Sequence, residues 1–405
     1  MTNLKTIETL EHQFGASNYH PLPVVLTRGE GCYVWDTEEN RYLDMMSAYS
    51  AVSHGHANPR LIAAMTRQAS ELSVVSRAFY SDQLAPFLEK LCNLSGMDMA
   101  LPMNTGAEAV ETGIKAARKW AYEVKGVPTD QAEIITCRGN FHGRTIAAVA
   151  MSSEAQYRNN FGPFPDGFHL IDYDNAGALS DAINDNTAAF IVEPIQGEGG
   201  IIVPGDGYLS ECAEICRRHN VLLICDEIQT GLGRTGSFLA CDHDEVRPDG
   251  LMLGKALGGG LYPVSAFLAR RSILERFTPG DHGSTFGGNP LAAAIASEAL
   301  QILIDDELID NSAKMGRYLA AALHTLKSPL ITSIRGRGLL LGVEINPQHA
   351  SARQVCERLM QRGILTKETH ETLVRLAPPL IIDKAKIDWA VDCIDATLKS
   401  FSDQP

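Results

Sequence analysis

Short apolar runs that alternate with amphipathic helical stretches constrain the fold of this chain more than any other feature. Each run is bounded by Gly, Pro or polar residues, and the stretch YLSECAEICRRHN at 208–220 has the apolar spacing of a helix. Buried strands joined by crossover helices form largely parallel sheets. The sequence therefore predicts an α/β domain, whose strands are EIITC, AAFIVE, VLLICDE, GLMLG and VSAFLA.

The two ends of the chain have a different pattern. Residues 24–45 alternate apolar and polar side chains around Gly and Glu-Asn turns, which predicts a small antiparallel meander. After the GGNP turn at 287–290, helical stretches and short β runs predict a smaller α+β domain. We therefore expect an N-terminal segment over 1–48, a large domain over 49–290 and a small C-terminal domain over 291–405.

The charge balance and the cysteines limit the possible partners and compartment. The chain has 35 Lys and Arg against 49 Asp and Glu, and this net charge of −14 repels polyanions such as nucleic acids. No apolar stretch approaches the length of a membrane span, and the start MTNLKTIETL lacks a signal-peptide pattern. Nine cysteines, several of them in apolar runs, indicate free buried thiols. We expect a cytoplasmic protein that binds neither nucleic acid nor membrane.

Polar residues at the ends of the apolar runs are the first candidates for a functional site. Ligands of open α/β sheets bind beyond the carboxyl ends of strands, and Glu193, Asp226 and Lys255 each follow or end such a run. Taken singly, each fits a solvated strand end or a structural ion pair. Together, a partly desolvated lysine that can form an imine and a carboxylate that can keep a pyridine nitrogen protonated are what pyridoxal phosphate chemistry requires.

A helix start supplies the third requirement of such a cofactor, a site for its phosphate. Thr105 and Glu108 form the pattern of a capping box before an amphipathic helical run. The backbone N–H groups of Gly106 and Ala107 would then be free to bind an anion. A capping box alone shows only that a helix begins, so the phosphate interpretation depends on the neighbouring candidates.

Two other patterns compete with this interpretation. Residues 231–236 spell G-x-G-x-x-G, the dinucleotide fingerprint of nicotinamide- or flavin-dependent oxidoreductases. DEIQT separates this motif from its strand and no long helix follows, so a shaped loop is favoured. Cys212, Cys216 and His219 have the spacing of ligands on one helix face, but no second cluster accompanies them. A core-facing helix is favoured there, and no metal site is predicted.

Five ordered motifs connect these candidates to a known family. They are FHGRT at 141–145, VEPIQGEGG at 192–200, CDEIQTGLGRTG at 225–236, LGKALGGGLYP at 253–263 and GSTFGGNP at 283–290. From about Asn18 onward the chain resembles the class III, fold type I pyridoxal-phosphate aminotransferases. Within that class, NYHPLPVVL, MMSAYSAVSHGH, SRAFY and VRLAPPL resemble the members that transfer the δ-amino group of ornithine to 2-oxoglutarate.

The resemblance implies a role for each residue around the cofactor ring. Lys255 would bind pyridoxal 5'-phosphate as an imine and, once released by substrate, would shuttle a proton between substrate and cofactor carbons. Asp226 would pair with the pyridine nitrogen. Gln229 would contact the phenolic oxygen and Phe141 would stack on the ring.

The resemblance also implies that two subunits share each active site. Gly106 and Ala107 would hold the cofactor phosphate in one subunit. Thr285, in its glycine-rich loop, would reach the same phosphate from the other subunit. A homodimer is therefore expected, with further assembly left open.

Substrate selection requires one pocket for an amine and for a dicarboxylate. By resemblance, Arg144 would bind the α-carboxylate of ornithine, with Tyr19 near its α-amino group and Tyr49 shaping the pocket. Arg375 would bind a carboxylate of glutamate or 2-oxoglutarate, and Glu198 would neutralise Arg375 while ornithine is bound. From the residues alone, structural salt bridges and packed tyrosines explain the same positions.

One position departs from the pattern of the ornithine-specific members. His142 stands where a tryptophan is expected, and FHGRT with GEGG is also typical of enzymes that act on acetylornithine. Acetylornithine, succinylornithine and 4-aminobutyrate therefore stay open as alternative amino donors. Tyr19 and Tyr49 favour a free α-amino group and hence ornithine.

Overall fold

The computed structural model describes residues 4–402; the three residues at each end, which belong to the predicted terminal segments, lie outside this range. Strands in the described part form three sheets. The predicted N-terminal meander is confirmed, with antiparallel pairing between successive strands. Its strands are β1 Leu26–Glu30, β2 Tyr33–Asp36 and β3 Arg41–Asp44.

A seven-stranded sheet in the order β4-β10-β9-β8-β7-β5-β6 occupies the middle of the chain. Its strands are β4 Met99–Met103, β5 Glu133–Cys137, β6 Phe168–Ile171, β7 Thr187–Val192, β8 Leu222–Asp226, β9 Gly250–Leu253 and β10 Ser265–Ala269. Strands β5 to β9 pair in parallel, as predicted. Because β10 runs antiparallel to both β4 and β9, β4 points in the same direction as the parallel strands.

The five predicted runs form the interior of this sheet, and the two strands absent from the prediction form its edges. Interior strands such as β7 and β8 are buried at every position, whereas β6 alternates in exposure and β4 is only partly buried. Pro102 lies in β4, where a missing N–H is tolerated because the strand has a neighbour on one side only. Edge strands lack the continuous apolar run that marks a strand buried on both faces.

Both faces of the sheet are covered by helices, which explains the continuous apolar runs. Ile224 packs into one core cluster with the helix Gly106–Trp120, whereas Leu223 belongs to a second cluster with the helix Tyr208–Arg218. Cys212 and Cys216 are buried in this second cluster and His219 is exposed, so the helix presents a core face there.

The remaining helices connect and cover the sheets. Within residues 4–402, no helix combines the length and apolar character needed to span a membrane. Their bounds are Leu4–Phe14, Pro59–Glu71, Leu84–Ser95, Ile146–Ala150, Ala155–Arg158, Ala176–Ala182, Arg271–Leu274, Pro290–Asp305, Leu308–His324, Ala352–Gln361 and Lys384–Ser402.

The C-terminal region forms an antiparallel sheet in the order β11-β12-β15-β14. Its strands are β11 Ile331–Arg337, β12 Leu340–Ile345, β14 Glu368–Thr369 and β15 Leu373–Leu376, whereas β13 Ile364–Leu365 pairs in parallel with β3. The N-terminal meander therefore shares a sheet with the C-terminal region. The boundaries at residues 48 and 290 stay a prediction.

Candidate active site

The carboxyl ends of the central strands gather most of the predicted residues at one edge of the sheet. Glu193 follows β7, Asp226 ends β8 and Lys255 follows β9 after one glycine. A cavity of about 220 Å³ lies at this edge. Its lining includes the predicted residues Gly106, Ala107, Phe141, Glu198, Asp226, Gln229 and Lys255. We call this lining the cofactor pocket.

Lys255 lies in the pocket on a strained piece of backbone. Its φ of 44° is in the left-handed region, and it begins a short 3-10 turn directly after Gly254. Burial lowers the pKa of its ammonium, and the negative charge of Glu198 opposes this shift only in part. The neutral amine, which is the nucleophilic form, is therefore more accessible here than on a surface lysine.

Asp226 is paired with a residue that the sequence analysis treated only as a departure. Its Oδ2 accepts a hydrogen bond from His142 Nδ1 at 2.8 Å, and its Oδ1 accepts one from the Ile228 N–H at 3.1 Å. Burial opposes the charged imidazole, but the hydrogen bond and charge of Asp226 outweigh it and raise the pKa of His142. A cationic His142 keeps Asp226 ionised. The only sequence signal for this pairing was the position of His142 beside Phe141.

Glu193 connects two loops of the pocket. Its carboxylate accepts hydrogen bonds from the N–H of Phe141 at 3.0 Å and from the N–H of Gly197 at 3.3 Å. Burial raises the pKa of Glu193 to about 7, with His142 opposing the shift. The same strand end thus fixes Phe141 and the turn that carries Glu198.

The predicted capping box is confirmed at the helix that begins at Gly106. Glu108 N–H donates to Thr105 Oγ1 at 3.3 Å, and Thr105 N–H donates to Glu108 Oε2 at 2.8 Å. A Cβ on Gly106 would lie 3.2 Å from Ile228, so glycine allows the helix start to approach the pocket wall. The first-turn N–H groups that the cap leaves free can bind an anion.

Glu198 connects the pocket to the C-terminal sheet. Its Oε1 accepts hydrogen bonds from Arg375 Nη1 at 2.7 Å and from Gln229 Nε2 at 3.0 Å. Burial disfavours the carboxylate, but the charge of Arg375 dominates and lowers the pKa of Glu198 to about 2. Arg375, on β15, is 1% exposed and also donates to Thr369 Oγ1 at 2.8 Å. The structure thus brings the predicted pair into direct contact.

The other substrate candidates lie apart from the cavity. The ring of Tyr49 is 5.6 Å from the Arg375 guanidinium, so this tyrosine joins the same network. Tyr19 is 72% exposed, and Thr285 is also exposed. Arg144 is exposed and stacks 3.7 Å above the ring of Tyr157. This single chain does not bring Tyr19, Thr285 and Arg144 into contact with the lysine.

The G-x-G-x-x-G motif forms a loop, as predicted, and not a dinucleotide site. Gly233 and Gly236 have φ values of 89° and 88°, and a Cβ on Gly236 would lie 2.9 Å from the backbone of Ala313. The loop packs against the helix Leu308–His324 and is followed by a short 3-10 turn. Arg234, fully buried in this loop, donates to the carbonyls of the C-terminal region. No room is left for a dinucleotide phosphate.

A family model described as aminotransferase class-III matches residues 14–398, and the chain belongs to this family. An ornithine aminotransferase from Geobacillus sp. (strain WCH70) is 55% identical over 392 residues, covering 97% of this chain and 98% of the relative. The crystal structure of the ornithine aminotransferase from Toxoplasma gondii ME49 has a TM-score of 0.98 at 46% identity, covering 100% of this chain and 97% of that one. A second Toxoplasma gondii structure, which reveals partial occupancy of pyridoxal phosphate at its active site, has a TM-score of 0.97 at 47% identity, with coverages of 99% and 95%.

Proposed function

We propose that this protein is an ornithine aminotransferase that depends on pyridoxal phosphate. It transfers the δ-amino group of L-ornithine to 2-oxoglutarate, giving L-glutamate and glutamate 5-semialdehyde, which cyclises to pyrroline-5-carboxylate. The observation that carries the proposal is the ion pair of Arg375 with Glu198 close to Lys255. One pocket must accept first an amine and then a dicarboxylate, and a guanidinium that a nearby carboxylate can mask meets both needs.

The cofactor pocket fits pyridoxal phosphate in the chemistry of its donors. Gly106 and Ala107 offer N–H groups to the phosphate, and Asp226 offers a buried carboxylate to the ring nitrogen. Oε1 of Gln229 is a buried polar atom with no hydrogen-bond partner in the described chain, as expected of a side chain that faces a ligand. When bound, the cofactor supplies an aldehyde that condenses with amines and a ring that accepts electrons from the substrate carbon.

The residues around this cofactor divide the work of proton transfer and charge control. Lys255 holds the cofactor covalently at Nζ and, once released, moves a proton to and from the reacting carbon. The lowered pKa of its ammonium suits this exchange. His142 keeps Asp226 ionised through the 2.8 Å hydrogen bond, and Asp226 in turn holds a proton on the ring nitrogen. Phe141 supports the ring from the loop that Glu193 fixes.

Each substrate uses a different state of the same pocket. With ornithine, Glu198 stays on Arg375 and neutralises it, while Arg144 takes the α-carboxylate and Tyr19 lies near the α-amino group. With glutamate or 2-oxoglutarate, Glu198 withdraws and Arg375 takes a carboxylate. An unpaired guanidinium in a buried position is costly, so the Glu198 carboxylate is needed whenever no substrate carboxylate is present.

The exposed candidates support a homodimer with shared sites. Thr285 and the half-exposed Phe286 lie in one loop at the surface of the single chain. Ser284, in the same loop, accepts a hydrogen bond from Asn104 beside the phosphate-binding helix. A second copy would allow Thr285 to reach the partner's phosphate. All nine cysteines are free, which agrees with the reducing conditions of the cytoplasm.

The amino-donor profile tests the proposal most directly. Purified protein is incubated with 2-oxoglutarate and either L-ornithine, N-acetylornithine or 4-aminobutyrate, and pyrroline-5-carboxylate is trapped with an aromatic aminoaldehyde. We expect a clear preference for ornithine and a coloured adduct with ornithine only. Preference for the acetylated donor would reject the proposal in favour of an acetylornithine aminotransferase. Glutamate formation, measured in parallel, controls for the acceptor half of the reaction.

A further inference from the structure

Tyr49 is carried on a rare piece of backbone. Four consecutive non-glycine residues, Ser47–Ser50, have φ values of 49°, 46°, 61° and 71°, all in the left-handed region. Such a turn is unfavourable for every L-residue in it and persists only where the surroundings enforce it. Asp44 Oδ1 accepts the N–H groups of Met46 and Ser47, both at 2.8 Å, and holds the start of the turn. Strain of this kind is concentrated at functional positions.

The turn places Tyr49 between two cations. The Lys367 ammonium is 5.7 Å from the ring centroid and donates a hydrogen bond to Tyr49 Oη at 3.3 Å. The Arg375 guanidinium is 5.6 Å from the same centroid. An ammonium can only donate, so Tyr49 Oη is the acceptor in this bond and its own proton is free for another acceptor. A tyrosine held in this way presents a donor to the substrate.

Lys367 is fixed relative to Arg375 by the short segment that surrounds the arginine. Arg375 N–H donates to the Lys367 carbonyl at 3.2 Å, and Thr366 Oγ1 donates to the Arg375 carbonyl. Thr369 Oγ1 accepts from Arg375 Nη2. Tyr49, Lys367 and Arg375 therefore form one connected unit, which we call the substrate corner.

The substrate corner is positive even when Arg375 is masked. Glu198 supplies one negative charge against the charges of Lys367 and Arg375. Glu198 pairs with Arg375, and among the salt bridges of residues 4–402 none includes Lys367. The corner thus keeps about one unit of positive charge in addition to the free Tyr49 proton.

We propose that Lys367 is a specificity-determining residue that orients Tyr49 as a hydrogen-bond donor and adds a second cation to the carboxylate subsite of Arg375. This proposal rests on the proposed function, because it concerns the dicarboxylate half of that reaction. The subsite then takes a carboxylate of 2-oxoglutarate or glutamate and disfavours the α-ammonium group of ornithine. Lys367 does not react; it acts through Tyr49 and through its charge.

The test compares Lys367→Met with the matched control Lys399→Met, which removes the same charge from an exposed helix lysine that pairs with Asp395. The probes are the dissociation constant of glutarate, a five-carbon dicarboxylate that cannot be transaminated, and the KM values of 2-oxoglutarate and ornithine. For Lys367→Met we expect both dicarboxylate constants to rise about tenfold, as for the loss of one charged contact, with the ornithine KM within about twofold. Unchanged dicarboxylate constants, or equal losses for both substrates, would overturn the proposal.

Two further variants separate the two parts of the role. Lys367→Gln keeps a donor for Tyr49 Oη but removes the charge, so about half of the logarithmic effect of Lys367→Met is expected. In a double-mutant cycle with Tyr49→Phe, the losses of Lys367→Met and Tyr49→Phe should be clearly less than additive. Full additivity would refute positioning through Tyr49. Ornithine turnover by the wild type reports on the proposed function separately, because glutarate binding does not require it.

Discussion

The cofactor pocket and the substrate corner are neighbours, but the chain builds them in different ways. The pocket takes Glu193, Asp226 and Lys255 from the ends of adjacent strands in one sheet buried on both faces. The corner takes Tyr49 from a strained turn near the start of the chain, and Lys367 and Arg375 from the C-terminal sheet. A rigid sheet thus holds the groups that must not move, and separate segments hold the groups that must adapt to two substrates.

The same difference governs the buried charges. In the pocket, Glu193 lies among other acids and its pKa is raised to about 7 by burial. In the corner, Arg375 lowers the pKa of Glu198 to about 2 despite burial. The pocket therefore titrates near neutral pH, whereas the ion pair of the corner keeps its charge throughout the physiological range.

The largest expected effect is the loss of the pocket lysine. In Lys255→Ala, both half-reactions should slow by about 10⁴-fold, the upper range for a positioned proton-transfer group. Single-turnover kinetics with ornithine and with glutamate measure the two halves separately, and Lys399→Ala is the control. A variant that keeps more than a tenth of the wild-type rate in either half would contradict the role of Lys255.

A smaller effect, confined to one substrate, is expected in the corner. Glu198→Gln removes the negative charge that masks Arg375, so a carboxylate should bind more readily and ornithine less readily. We expect the ratio of kcat/KM for glutamate to that for ornithine to rise about 10- to 100-fold, corresponding to roughly 1.4–2.8 kcal/mol. The ratio of the two half-reactions measures this change. Equal losses in both would remove the distinction between pocket and corner.

The smallest expected effect is a pH dependence that distinguishes the two regions. Because the folded pKa of Glu193 lies above its ordinary value of 4.5, its contribution to stability is present below pH 4.5 and is lost as the pH rises to about 7. Relative to Glu193→Gln, the free energy of unfolding of the wild type should therefore fall by up to about 1.4 kcal/mol per pH unit in this window. Urea unfolding midpoints from pH 5 to 8 provide the measurement.

Glu198→Gln is the matched comparison for this pH series. The pKa of Glu198 is lowered to about 2, so its contribution is present above pH 4.5 and is lost only as the pH falls toward 2. The difference in unfolding free energy between the wild type and Glu198→Gln should therefore be flat from pH 5 to 8. A slope in the Glu198 series, or none in the Glu193 series, would contradict the assigned charge states.

The sequence predicted the parts of the site that depend on local order. The capping box at Thr105 needs only two residues three positions apart, and the interior strands ending at Asp226 and before Lys255 were readable as apolar runs. The edge strands β4 and β6 were missed because they are not buried on both faces. The contact of His142 with Asp226 was also missed, since these residues are 84 positions apart.

By itself, the sequence determined the α/β architecture, the strand ends that carry the chemistry and the family to which the chain belongs. These features follow from burial periodicity and from motifs that are continuous along the chain. Only the tertiary structure decided that Lys367 and Arg375 flank Tyr49, and that the G-x-G-x-x-G loop packs against a helix. Such contacts join residues separated by up to hundreds of positions, and long-range packing of the whole chain fixes their geometry.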